Sequence, residues 1–220
     1  MVQQKATMMG ISDLEQWLRR SLGSPLPGIE AQLRLAPTPR PGWVPGRSPA
    51  ESRAAAGLLL LFPVDHRVHL LLTVRSSRLP SHAGQVSLPG GAVESGETLE
   101  HAALREAHEE TGVEPARVRV VGRLTPLHIP VSGYVLHPVV GVTDERPDFR
   151  PADAEVDRLP EPGLADLLDP GCIRHRPRRR DGLFQDVPYF ALDGLEVWGA
   201  TAMVLAEFLQ IVATAPTSDR

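Results

Sequence analysis

The chain has 220 residues, 42% hydrophobic and 23% charged, which is enough apolar material for one large domain with a terminal extension. Its formal net charge of −4 supplies no basic field to hold a nucleic-acid backbone. The longest apolar run, AAAGLLLLF at 54–62, is less than half of the roughly 20 residues that span a bilayer, so neither nucleic acid nor a membrane is an expected partner. The single cysteine, Cys172, cannot close an intrachain disulfide, and MVQQKATMMGIS at the start lacks the apolar core of a signal peptide. A reducing, cytoplasmic setting is expected.

In chain order, SDLEQWLRRSL (12–22) places Leu14, Trp17, Leu18 and Leu22 at helical spacing behind a Ser or Asp cap and predicts an amphipathic helix packing on the core. Residues 24–52 carry prolines at 25, 27, 37, 39, 41, 45 and 49, which removes backbone donors and rules out a long regular element. AAAGLLLLF (54–62) and VHLLLTVR (68–75) predict a buried strand pair joined by a turn at PVDH. VRVVGRLT (118–125) and YVLHPVVGVT (134–143) predict further strands, with PVSG (130–133) turning between them. WGATAMVLAEFLQIVA (198–213) predicts a closing helix with Ala202, Leu205, Ala206 and Leu209 on one face. Phe62 and the other scattered aromatics read as core, and Cys172 as a packed side chain.

Between the strands lies LPGGAVESGETLEHAALREAHEETGV (88–113), a predicted helix with Thr98 as N-cap, a stripe of Leu99, Ala103 and Ala107, and Gly112 as its stop. Its last turns hold Glu106, Glu109 and Glu110, where the macrodipole is already negative. Each acid there costs about 0.3–1 kcal/mol, and each like-charge pair adds about 0.2–0.5 kcal/mol. Arg105 can reach one of the three, most naturally Glu109 at i+4, leaving Glu106 and Glu110 without a partner. A hard divalent cation fits that gap, because Mg²⁺ takes oxygen ligands, keeps several waters and binds one or two carboxylates together with substrate phosphates. Pro89, Gly90, Gly91 and Gly96 form a loop before the helix, where glycine lets the backbone approach a ligand and offer a carbonyl.

Gly91, Glu97, Arg105, Glu106, Glu109, Glu110 and Gly112, with Ala107 and Val113 at the apolar positions, resemble the Nudix box, G-x5-E-x7-R-E-U-x-E-E-x-G-U. The resemblance implies an α/β fold, a Nudix-type α/β/α sandwich with a mixed β-sheet, and a chain divided into an N-terminal helix and proline-rich arm (1–52) and a Nudix hydrolase domain (53–215). It implies hydrolysis of a nucleoside diphosphate linked to another group. Glu106 and Glu110 would bind Mg²⁺ or Mn²⁺ with Glu109 contributing, the Gly90 carbonyl would be a further ligand, and Arg105 with Glu97 would hold the loop against the helix.

The preceding segment, LLTVRSSRLPSHAGQVSLPGG (71–91), resembles the signature of the coenzyme A pyrophosphatase branch, LLTxR[SA]-x3-R-x3-G-x3-FPGG. Leu71, Leu72, Thr73, Arg75, Ser76, Gly84, Pro89, Gly90 and Gly91 match. Pro80 stands where the pattern has arginine and Leu88 where it has phenylalanine; Arg78 is a candidate substitute for the missing guanidinium. The segment VPYFALDGLEVWGATA (187–202) resembles the same branch, with helix packing the expected role of Trp198, Gly199 and Ala200. Arg75, Arg78, His82, Gly84 and Gly91 are the candidate substrate-binding residues, His82 either contacting phosphate or fixing its loop. Glu155 is the candidate loop acid, with Asp153 and Asp157 as alternatives. RHRPRRR (174–180) reads as a solvated loop, or as cations for the phosphates of coenzyme A. The implied substrate is coenzyme A or its thioesters, giving 4′-phosphopantetheine (or its acyl derivative) and adenosine 3′,5′-bisphosphate. A different diphosphate such as NADH or ADP-ribose is the rival substrate, a non-catalytic binding module is a third reading, and a homodimer is left open.

Overall fold

The computed structural model describes residues 9–78, 84–180 and 182–216. Its first strand, β1 (Arg53–Val64), is apolar at nearly every central position because it is covered on both faces. Leu58, Leu60 and Phe62 point to one side and pack with Ala102, Ala103 and Ala107; Leu59 and Leu61 point to the other and join Leu14, Leu18 and the buried face of the closing helix. The sheet runs β2 (Arg67–Leu70), β1, β8 (Tyr134–Val142), β6 (Arg119–Arg123), with β5 (Gly90–Ala92) also on β1 and β7 (Leu127–Ile129) also on β8. β1 and β8 pair in parallel and the remaining pairs are antiparallel, so the sheet is mixed. Helix α3 (Leu99–Thr111) covers one face; α1 (Ile11–Leu22), the short α4 (Leu164–Leu168) and α5 (Gly199–Ala213) lie in the core on the other. This is the expected α/β/α sandwich.

Several local expectations change. α1 starts at Ile11 behind Gly10 with no side-chain cap, so neither Ser12 nor Asp13 performs that role. The proline-rich stretch contains one short helix, α2 (Gly28–Leu33), seated by buried Ala31 and Gln32. VHLLLTVR is not one strand. The N–H groups of Leu70 and Leu72 bond to the carbonyls of Pro162 and Pro160, and the chain leaves the main sheet to form β3 (Thr73–Arg75) between β4 (Val86–Ser87) and β9 (Val156–Arg158). The basic run is not a loop but β10 (Ile173–Arg180), paired with β11 (Leu183–Leu192) and through it with β12 (Leu195–Trp198). Trp198 therefore ends a strand, and α5 begins at Gly199 (φ +67). Phe184 is 72% exposed and is not core. Cys172 is buried and donates to the Leu167 carbonyl at 3.7 Å, and burial pushes its thiol up to about 11, consistent with a packed, unreactive sulfur.

The N-terminal elements are tied to α5 by a buried polar cluster. The Glu207 carboxylate accepts from Gln32 Nε2 at 3.0 Å, from the Thr125 N–H at 3.2 Å and from Thr125 Oγ1 at 2.6 Å, and Gln32 and Glu207 are fully buried. Removing the acceptor would strand the Thr125 hydroxyl and N–H and one of the two Gln32 amide N–H groups, the other keeping the Thr125 carbonyl at 3.0 Å. Glu207→Ala is expected to lower the unfolding free energy by about 3 kcal/mol in a urea titration, since each stranded donor costs about 1–3 kcal/mol; a loss below about 1 kcal/mol would mean the cluster is wet and dispensable.

Candidate active site

α3 is built as the sequence predicts at both ends. Thr98 Oγ1 accepts from the His101 N–H at 3.2 Å, and Gly112 takes the left-handed conformation at φ 72 that favours glycine. The buried stripe is Ala102, Ala103 and Ala107, with Leu99 only partly covered. The C-terminal carbonyls are satisfied by the loop that follows β8, where the Ala152 N–H donates to the Glu110 carbonyl at 3.0 Å and the Arg150 N–H to the Thr111 carbonyl at 2.8 Å.

The acids are less isolated than expected. The Arg105 guanidinium grips Glu97 with two parallel bonds of 3.0 Å, donates to Glu106 at 2.9 Å, to Glu109 at 3.3 Å and to the Ala92 carbonyl at 3.1 Å. Glu106 thus has a partner. One planar fork can serve three carboxylates and a carbonyl because its five N–H groups diverge in fixed directions. The Arg105 guanidinium, with the Glu94 N–H, holds the Glu97 carboxyl below the usual carboxylate range. Glu94 and Glu97 thereby fasten the loop to the helix, since the Glu94 N–H donates to Glu97 at 3.1 Å.

Glu110 differs from the others. It is 6% exposed and accepts the Gly90 N–H at 3.1 Å. Burial pushes its carboxyl up to about 7, the charges of Glu106 and Glu155 push the same way, and the Gly90 N–H and the Arg75 guanidinium oppose them. Register explains the Gly90 contact. Leu58 bonds to the Pro89 carbonyl and Val93 to the Ala54 carbonyl, so Gly90, opposite Gly57, falls between bonded pairs and turns both its N–H and its C=O away from β1. Glycine is required here on steric grounds: a Cβ at Gly90 would lie 2.3 Å from the Ala56 carbonyl oxygen, and one at Gly91 would lie 2.4 Å from the Glu106 carboxylate.

The flanking segments bring further predicted residues to this place. Arg75 lies on β3, close enough for its charge to act on Glu110, and its Nε is buried without a hydrogen bond. Gly84 (φ +70) closes the β3 turn by donating to the Arg75 carbonyl at 3.0 Å. Glu155 is exposed just before β9, and its carbonyl accepts the Ser76 N–H at 2.8 Å. Asp157 is instead engaged by the Ser77 N–H at 2.9 Å, and Arg78 bonds to the Asp153 carbonyl and to Ser76 Oγ, so both shape the loop. Pro80 and His82 lie outside the described residues. Leu88 is buried at 6% exposure, an apolar replacement for the pattern's phenylalanine.

Among the described residues, no three His, Cys, Asp or Glu side chains already converge to hold an ion. Glu106 and Glu109 are drawn to Arg105 instead. The donor set of Glu106, Glu109, Glu110 and the Gly90 carbonyl is all oxygen, and a carboxylate as buried as Glu110 needs a positive partner to stay ionised near neutrality. These residues fit a hard divalent cation. The sequence missed the part of Arg150 and Ala152, since backbone donors in a distant loop leave no residue signature.

Two predictions follow from this geometry. Gly91→Ala should fold normally yet lower turnover at least a hundredfold, because the new methyl group displaces the Glu106 carboxylate from Arg105; a Tm within a few degrees of the unaltered protein with near-normal activity would remove the steric argument. For Glu110 the folded value near 7 lies above the ordinary 4.5, so the stability held by the protonated form is present below about pH 4.5 and is lost as pH rises through about 7. Glu110→Gln stays neutral and keeps an acceptor for Gly90. Without divalent ions its Tm should exceed that of the unaltered protein near pH 8 and match it near pH 4.5; a lower Tm near pH 8 would contradict the burial cost.

The chain is similar to known proteins over most of its length. Residues 51–177 match the family model described as the NUDIX domain. The uncharacterized Nudix hydrolase NudL of Shigella flexneri is 39% identical over 172 residues, covering 76% of this chain and 88% of that protein. That of Citrobacter koseri is 38% identical over 160 residues, covering 71% and 83%. Among solved structures, the Nudix hydrolase RenU of M. smegmatis superposes with a TM-score of 0.50 at 22% identity, over 77% of this chain and 91% of that one, a likeness of fold. With the family model matching more than half of this chain and these relatives matched over most of their length, the chain belongs to the Nudix family and is a pyrophosphate hydrolase.

Proposed function

We propose that the protein hydrolyses the diphosphate linkage of coenzyme A or its thioesters, giving 4′-phosphopantetheine or its acyl derivative and adenosine 3′,5′-bisphosphate. The observation that carries this reading is the segment 71–91. It resembles the coenzyme A branch signature, and its Arg75 lies beside Glu110 with a buried Nε that has no hydrogen bond. A guanidinium held there with an N–H unmet suits a substrate rich in phosphate.

Glu106, Glu109, Glu110 and the Gly90 carbonyl would hold Mg²⁺ or Mn²⁺, which when bound neutralises diphosphate charge and lowers the pKa of a coordinated water. Arg75 offers N–H donors to the non-bridging oxygens. Arg105 fixes the direction of Glu106, and Glu97 fixes Arg105. In the reaction, a water oxygen forms a bond to phosphorus as the bridging P–O bond breaks, and the bridging oxygen leaves with the departing phosphate. The proton released by water passes to a nearby carboxylate, for which Glu155 and Glu106 are the candidates. The buried thiol of Cys172 suits a reducing, cytoplasmic setting.

The test is a panel of coenzyme A, 3′-dephospho-coenzyme A, NADH and ADP-ribose with Mg²⁺ and with Mn²⁺, scored by product identity. Coenzyme A should be cleaved with a kcat/KM on the order of tenfold to a hundredfold above its dephospho form, the value of one charged hydrogen bond to the 3′-phosphate. Glu106→Gln and Glu110→Gln should each cut turnover by orders of magnitude at saturating metal. Equal rates on the first two compounds would end the case for 3′-phosphate recognition. Faster cleavage of NADH or ADP-ribose would reassign the substrate, and no hydrolysis of any compound would return the chain to a binding module.

A further inference from the structure

The sheet β10-β11-β12 has two unlike faces. Arg174 pairs with Tyr189 and Tyr189 with Trp198, so with a side-chain period of two Arg174, Arg176, Arg178, Tyr189, Glu196 and Trp198 share one face. The opposite face carries Phe190 and Val197, which are buried in the main core. On the first face the Arg176 guanidinium lies 5.5 Å from the centre of the Tyr189 ring, and that of Arg178 lies 4.1 Å from the centre of the Trp198 ring. All four side chains are half-buried. Arg176 forms an ion pair with Glu196, yet its Nε is buried with no hydrogen bond.

Covering the buried Val187 beneath would require only apolar area. Two guanidinium groups over two rings provide something more: positive charge that attracts an anion, beside flat surfaces on which a further planar group can lie. The sheet also stands beside the strands that carry Arg75. β12 packs beside β4, Thr201 Oγ1 donates to the Val86 carbonyl at 3.1 Å, and Val86 pairs with Val74, the neighbour of Arg75. Arg179, by contrast, alternates to the other face and lies over Phe184, 5.6 Å from its ring centre.

We propose that Trp198 and Tyr189, with Arg178 and Arg176, bind the nucleotide half of the substrate, stacking its purine ring and receiving the adjacent phosphate. This rests on the coenzyme A reading and deepens it by assigning the two halves of the molecule to different elements. Charge favours it too, since the arginine face attracts a phosphate that the acidic helix repels.

The test uses the whole chain without divalent metal, titrated with adenosine 3′,5′-bisphosphate and followed by calorimetry and tryptophan fluorescence. Trp198→Leu and Arg178→Ala should each weaken binding on the order of tenfold, the usual effect of losing one base stack or one charged contact. Trp198→Leu should abolish the quenching, and Trp17 and Trp43 should contribute none. Ribose 5-phosphate, which lacks the base, should bind the Trp198→Leu protein as it binds the unaltered one. Should Trp198→Leu fail to fold, Trp198→Phe, which keeps a ring, should retain most of the affinity, and Arg178→Ala still decides. Dissociation constants within twofold of each other in all variants, or no binding by the unaltered protein, would overturn the assignment. Coenzyme A turnover is measured separately. Bisphosphate held through Trp198 without coenzyme A hydrolysis would sink the substrate reading and leave this site, whereas hydrolysis with unaltered bisphosphate affinity would do the reverse.

Discussion

The loop and the outer acids of the site depend on one guanidinium serving three carboxylates at the negative end of a helix. Without Arg105, the acids Glu106 and Glu109 would repel each other and the helix dipole, and Glu97 would leave the loop unfastened. Arg105 is itself about a quarter exposed at 28%, so its value lies in geometry more than in Coulomb energy, which water reduces at such a position. The fork fixes where each carboxylate points. Lysine could supply the charge but not the parallel pair to Glu97 together with divergent bonds to Glu106 and Ala92.

The sheet governs how close that helix can come. Ala102, Ala103 and Ala107 are the helix face against β1, and their small side chains let the axis approach until the Glu110 carboxylate meets the backbone of Gly90 at 3.1 Å. A leucine in that stripe would lift the helix away and break the contact. Gly90 and Gly91 extend the same economy of volume to the sheet side, where a Cβ at Gly90 would meet the Ala56 backbone and one at Gly91 would take the place of the Glu106 carboxylate. Packing against the core and electrostatics at the surface are therefore set by the same residues, and the burial that raises the Glu110 carboxyl is a direct product of the alanine stripe.

Some of this is written locally in the sequence and some is not. The helix, its cap, its glycine stop and the two-sided strand β1 are legible because each depends on neighbours within a turn or on alternation within a strand. The split of VHLLLTVR is not, since it is decided by the carbonyls of Pro160 and Pro162, far along the chain. RHRPRRR hides its strand for a different reason: with charged residues on both parities there is no apolar alternation to read, and the strand exists because β11 pairs with it along its length. Trp198 reads as part of a helix because its neighbours are helix formers, whereas its pairing with Tyr189 keeps it in a strand. The pairing of Arg105 with Glu106 escapes a spacing argument that treats i+1 neighbours as facing apart, because a long arginine can curl back along its own helix.

The segment before the box divides residue by residue between building and offering. Thr73 and Ser87 bond to each other at 2.9 Å, Ser76 is fully buried and receives Arg78, and Gly84 closes a turn. These residues shape a loop, and a pattern that includes them would persist whatever the loop touched. Arg78 is consumed by the same work, since its guanidinium reaches the Asp153 carbonyl and Ser76. Arg75 alone among the arginines of this stretch leaves a buried donor unmet next to the acids. Among the described residues, the physical content of the motif is then a hydrogen-bonded frame that presents one guanidinium to the acid cluster. A guanidinium is tolerated unpaired in a half-buried place only where the carboxylates around it, or a phosphate arriving between them, supply the missing charge.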